Sequence, residues 1–133
     1  VYGLLQLLLG VNALRGISLA TVALSVLLDY LLAFGVLGFS GLFRRKIQNQ
    51  SAAFMAGAGI AIVLRFLCHF ISGAFGWDTI LADTGLNWAG ILYSFNYNGS
   101  YMLPELVITL VAGAILCRVF DFSKPNPIRR RAK

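Results

Sequence analysis

Four ionisable side chains stand alone in long apolar stretches of this 133-residue chain: Asp29, Arg65, His69 and Glu105. In hydrocarbon such a group costs at least about 2.5–3.5 kcal/mol at mid-span, so it faces a partner or a wet cavity. Arg65 and His69 are four residues apart and share a helix face. Around them lie Phe70, Phe75, Trp77, Trp88, Tyr93, Phe95, Tyr97 and Tyr101. Aromatic faces beside a buried carboxylate suit a flat organic cation. The rings attract the charge by about 2 kcal/mol when desolvated, and the carboxylate balances it or accepts hydrogen bonds from an amine. An amide such as Asn98 donates and accepts at once, which suits the edge of a heterocycle. The sequence shows no catalytic nucleophile, phosphate-cradling glycine loop or metal motif.

These residues must be positioned by helices in a membrane. The chain is 59% apolar and 12% charged, about half the charged fraction of a soluble domain. Five of its eleven basic residues (Lys124, Arg129, Arg130, Arg131 and Lys133) fall in a short C-terminal tail. The rest of the chain cannot give a globule a polar surface. A soluble enzyme, a nucleic-acid-binding domain and a disordered chain are all excluded, and the net charge of +6 does not imply a nucleic-acid partner. Residues 16–43 hold one charge (Asp29), 47–77 one (Arg65) and 84–117 one (Glu105). Each stretch exceeds the roughly 20 residues needed to cross the hydrocarbon core. Residues 1–14 are apolar but too short for a full crossing, and read as a helix cut at its start. The expected fold is all-α: a polytopic membrane helix bundle over residues 1–122, followed by a basic cytoplasmic tail over 123–133.

Basic residues in short loops set the orientation. Arg44, Arg45 and Lys46 lie after the second stretch, and Arg118 with the tail after the last; both belong on the cytoplasmic side. The loop with Asp78 and Asp83 carries no Lys or Arg and belongs outside. At 1.5 Å per residue, Asp29 then sits about 15 Å and His69 about 12 Å below the outer end of their helices. Tyr30, Trp77, Tyr93 and Asn98 fall in the same outer half. Three helices thus bring polar and aromatic groups to one level, which describes a pocket open to the outside and not a continuous ion path.

Plainer readings stand beside this one. Asp29 and Arg65 suit a structural ion pair. Glu105, after Pro104, suits the first turn of a restarted helix or a pairing with Arg65, and both remain open. Trp88 and Tyr101 read best as an interfacial aromatic belt, and the tail as a topology anchor. Cys68 and Cys117 read as packing residues. Gly35, Gly38, Ser40 and Gly41 make one small-residue face. Ala52, Ala56 and Gly59, with Gly57 and Ala61, make another, and such faces let helix backbones approach closely in lipid.

The runs Asp29-Tyr30-Leu31-Leu32-Ala33, Leu64-Arg65-Phe66, His69-Phe70-Ile71-Ser72-Gly73 with Trp77, and Trp88-Ala89-Gly90-Ile91-Leu92-Tyr93-Ser94 with Asn98-Gly99 resemble the thiamine-specific substrate-binding (S) component of energy-coupling-factor transporters. The resemblance runs over residues 1–120 and implies the last four helices of a six-helix fold. It implies that Asp29 binds the aminopyrimidine edge, that Tyr30 holds the hydroxyethyl end, and that His69 and Trp77 sandwich the thiazolium. Tyr93 and Asn98 would contact the pyrimidine. Three departures are visible: Asp29 stands where the family has Glu, Leu19 where it has an aromatic, and Pro104-Glu105 where it has small or apolar residues. These admit a thiamine precursor or another small vitamin as ligand.

The resemblance implies a thiamine-binding subunit of the cell membrane, without enzymatic activity or cofactor. Its partners would be a membrane coupling subunit and two ATPase subunits that hydrolyse the nucleotide. The rivals are a structural membrane subunit without ligand and a proton or ion relay. A relay needs ionisable groups in the inner half too, and residues 31–43 and 51–64 have none.

Overall fold

The computed structural model describes residues 2–10, 19–77 and 88–122. Four helices follow one another: α1 (Tyr2–Gly10), α2 (Leu19–Gly41), α3 (Gln50–Ser72) and α4 (Trp88–Val119). The described residues contain no strand. Three helical stretches, Leu19–Gly41, Gln50–Phe75 and Trp88–Val119, are long and apolar enough to cross a membrane. These match the three stretches expected from the sequence. The chain is an all-α, multi-pass membrane helix bundle. At 32 residues, α4 is about 48 Å long, well beyond a core of about 30 Å. It therefore either tilts or projects past the hydrocarbon. The basic tail and the loop with Asp78 and Asp83 lie outside the described residues.

Two helices are irregular where the polar residues sit. Within α2, Val26–Leu32 is π-helical and Val36–Gly41 is a 3-10 turn. α3 runs on into a second π-helical segment, Gly73–Trp77. A π turn takes in an extra residue and so rotates the face that follows it by about 100°. Asp29 and Tyr30 lie inside the first of these segments, and Ser72 immediately precedes the second. Pro104 does not restart a helix. α4 runs through it unbroken, because membrane helices tolerate the loss of one backbone bond where neighbours compensate.

The core is built from small side chains. Ala33, Ala53, Ala58, Ala61, Ala74 and Cys117 are buried, whereas the large apolar residues Leu8, Leu19, Leu103 and Ile108 are exposed. That inversion suits a bundle whose outside is lipid, where close backbone approach replaces hydrophobic burial as the packing force. Gly57 of α3 lies so close to the Ser40 carbonyl of α2 that a Cβ would overlap it, and Gly113 of α4 lies equally close to the ring of Phe54. The expected small-residue face of α2 is only partly used: Gly35, Gly38 and Gly41, like Gly59 of α3, meet open space.

The ends of α2, α3 and α4 are tied on the side expected to be cytoplasmic. Asn49 caps α3, its side chain accepting from the Ala52 N–H at 3.1 Å. The Gln50 amide donates to the carbonyls of Cys117 (3.4 Å) and Phe120 (2.9 Å) and accepts from the Phe122 N–H (3.0 Å). Arg44 donates to the Phe122 carbonyl at 2.9 Å. The Gln50 and Arg44 contacts satisfy one carbonyl in the last turn of α4 and two just beyond its end.

Candidate functional site

The buried polar residues assemble where α2, α3 and α4 meet. Asp29 of α2 accepts from His69 Nδ1 at 2.8 Å and from Ser72 Oγ at 2.5 Å, one bond on each carboxylate oxygen. An ionised carboxylate only accepts, so beside ionised Asp29 the proton sits on Nδ1, and the bond fixes the orientation of the imidazole. Side-chain exposure is 13% for His69 and 18% for Asp29. A second pair lies beside the first. Arg65 of α3 meets Glu105 of α4 at 2.5 Å and stacks over the Phe34 ring at 5.0 Å. The expected Asp29–Arg65 pair is not formed. Each partners another residue, and the open question about Glu105 is resolved as a pairing with Arg65.

Asn98 is 5% exposed and ties α4 to α3. Its amide nitrogen donates to the Ser94 carbonyl (2.9 Å), with longer contacts to Ser94 Oγ (3.3 Å) and the His69 carbonyl (3.4 Å). Its oxygen accepts from the Tyr101 hydroxyl at 2.7 Å. Ser94 in turn donates to the Phe70 carbonyl at 2.9 Å. This close seam requires glycine at position 73, where a Cβ would overlap Ser94 Oγ. Three buried polar atoms here and nearby have no hydrogen-bond partner: Ser25 Oγ, Arg65 Nε and His69 Nε2.

Along α4, three tyrosines spaced by four residues form a ladder. Tyr93 and Tyr97 stack at 5.9 Å with a 12° tilt. Tyr97 and Tyr101 meet edge to face at 5.8 Å, and Tyr101 reaches the His69 ring at 6.5 Å. Phe66, Phe70 and Phe95 form a separate edge-to-face cluster between α3 and α4.

A cavity of about 680 Å³, open on one side, lies among the Asp29–His69 pair, Arg65, Asn98 and the tyrosine ladder, and its size is within the range of ligand pockets. Five of the six residues singled out from the sequence line it: Asp29, Tyr30, His69, Tyr93 and Asn98. The sixth, Trp77, closes the second π segment, and its side chain lies outside the described residues. The wall also includes Gln6, Phe34, Arg65, Ser94, Tyr97 and Tyr101, none of which the sequence reading placed in the pocket. Tyr101, expected in the interfacial belt, points into this wall instead. The four-residue repeat of tyrosines was the available signal for Tyr97 and Tyr101. Trp88, also expected in the belt, is 78% exposed. No group of three His, Cys, Asp or Glu side chains converges among the described residues, so the ionisable groups work as two pairs.

Fold and cavity together define a multi-pass membrane protein whose buried polar residues line a ligand-sized void in a helix bundle. The sequence then assigns it more narrowly. Residues 1–123 match the model of the thiamine transporter protein family (Thia_YuaJ), and the chain belongs to that family. It is similar to the thiamine transporter ThiT of Bacillus subtilis (strain 168), 31% identical over 104 residues covering 71% of this chain and 51% of the relative. The chain thus spans about half the length of the curated relative it matches. No solved structure matches the chain.

Proposed function

We propose that this chain forms the substrate-binding part of a thiamine uptake protein of the cell membrane, with the ligand held in the void between α2, α3 and α4. The observation that carries this is the convergence of Asp29, Tyr30, His69, Tyr93 and Asn98, from three helices, on one cavity. The Asp29 carboxylate on the cavity wall offers a counter-charge to one thiazolium cation. The tyrosine ladder supplies flat faces for a cationic ring, and Asp29 and Tyr30 offer polar contacts at its edge. Trp77 is assigned here as a stacking partner from the family resemblance alone.

Transport would follow the energy-coupling-factor scheme that the resemblance implies. The subunit captures its ligand from outside and reorients when bound to a coupling subunit and two ATPase subunits. The chain supplies recognition, and the partners supply the hydrolysis. The deciding test is quenching of tryptophan fluorescence in the purified full-length protein on adding thiamine, with the isolated pyrimidine and pyridoxine as competitors. Saturable quenching by thiamine alone supports the assignment. Quenching only by the pyrimidine moves it to a precursor, and no response to any of the three leaves a structural subunit.

A further inference from the structure

The opposite end of the bundle holds a second cavity, of about 790 Å³, between the tied ends of α2, α3 and α4. Two guanidinium groups line it, Arg44 from the loop after α2 and Arg118 from the last turn of α4. Asn49 and Ser51 add polar groups at the start of α3, and Phe54 gives one apolar wall. Asp121 is the only carboxylate among the lining residues, and it already has an interaction partner within the protein. Arg44 is held in place through one terminal nitrogen on the Phe122 carbonyl, which leaves its other N–H groups for an anion. The Gln50 clamp fixes the wall that carries Arg118. Two exposed guanidinium groups from different helix ends thus line one space, one of them anchored on the Phe122 carbonyl.

The depth of this space favours an anion attached to a lipid. It opens where all three spanning helices end on the side that the basic residues place in the cytoplasm. The residues flanking it, Phe39, Leu42 and Val119, are large, apolar and exposed, as expected of surfaces that meet acyl chains. We propose that this cavity binds the headgroup phosphate of one anionic phospholipid of the inner leaflet, with Arg44 and Arg118 as its charge partners. Bidentate guanidinium–phosphate contacts would provide the grip. Arg45 and Lys46, next in the chain, are exposed and do not line the cavity, so they supply a matched control for net charge.

The test uses the full-length protein in neutral detergent, with native mass spectrometry and thermal melting as readouts. Phosphatidylglycerol, phosphatidylcholine and free glycerol phosphate are added in turn. Two basic side chains contributing about 1 kcal/mol each predict a preference of about 30-fold for phosphatidylglycerol over phosphatidylcholine. The expected result is one tightly retained phosphatidylglycerol per protein, lost in the Arg44→Gln/Arg118→Gln double variant and kept in Arg45→Gln/Lys46→Gln. Equal loss in both double variants overturns the site and leaves diffuse surface attraction. Equal protection by glycerol phosphate also overturns it, in favour of a soluble anion. Should the cavity variant fail to fold, the wild-type protein still decides: lipid adducts that add without saturating at one, or that show no headgroup preference, refute the proposal.

Discussion

Replacing Asp29 by Asn tests whether this carboxylate recognises charge or only holds the helices together. The substitution keeps the side-chain shape. An Asn oxygen still accepts from His69 Nδ1, now at 2.8 Å, and the Asn nitrogen donates to Ser72 Oγ, which stands in bonding range of the second oxygen. The bonds become neutral and weaker, but the cost of burying a charge disappears as well, so stability should shift by no more than roughly 1 kcal/mol. Binding should respond much more. For a thiazolium held about 6 Å from the carboxylate, one ring's width away, the attraction at an effective dielectric near 20 is about 2.8 kcal/mol, equivalent to about 100-fold in affinity. The assay is a fluorescence titration of wild type and variant with thiamine, repeated with an analogue carrying an uncharged ring in place of the thiazolium. Thiamine should lose about 100-fold and the neutral analogue only a few-fold. A folded variant that binds thiamine within about threefold of wild type, or that loses both ligands equally, refutes the charge argument.

Two further predictions concern packing. Gly57→Ala places a methyl against the Ser40 backbone, which cannot rotate away. It should lower stability by about 1–3 kcal/mol. Gly59→Ala enters open space and should instead gain about 0.5–1 kcal/mol from helix propensity, so the two neighbours should move the detergent melting temperature in opposite directions. Tyr101→Phe keeps the ring contacts but removes the hydroxyl that donates to the Asn98 oxygen. It should cost about 1–3 kcal/mol in the same melting assay and weaken thiamine binding by freeing the amide to turn.

Length and polarity made the spanning stretches and the shared depth of the polar residues legible in the sequence. Rotation about each helix axis was not, and rotation decides the partners. Nothing in Val26–Leu32 or Gly73–Trp77 announces a π turn, yet these segments set which way Asp29 and the residues after Ser72 face. In place of the plausible Asp29–Arg65 pair, Asp29, inside the first segment, meets His69, and Arg65 meets Glu105. The same limit applies to the small residues. Gly57 and Gly35 look alike as sequence, but one abuts a neighbouring backbone and the other meets open space. Tyr101 lies near the middle of α4, thirteen residues from its start, a depth that itself argues against a belt. Only the position of Asn98 across one turn of α4 explains why its hydroxyl turns inward.

The hydrogen-bond inventory of the pocket also indicates which ligand edge it favours. A carboxylate has about four lone-pair sites, and two of those on Asp29 are occupied. Asn98 has both amide hydrogens committed, while its oxygen accepts one recorded bond and keeps a second lone pair. Ser94 has its proton on the Phe70 carbonyl. Asp29, Asn98 and Ser94 therefore have acceptor capacity to spare, while the donors left on the wall are Arg65 Nε and the tyrosine hydroxyls. A ligand that supplies N–H donors and a positive charge can dock at Asp29 without breaking these internal bonds. An aminopyrimidine joined to a cationic ring fits that demand.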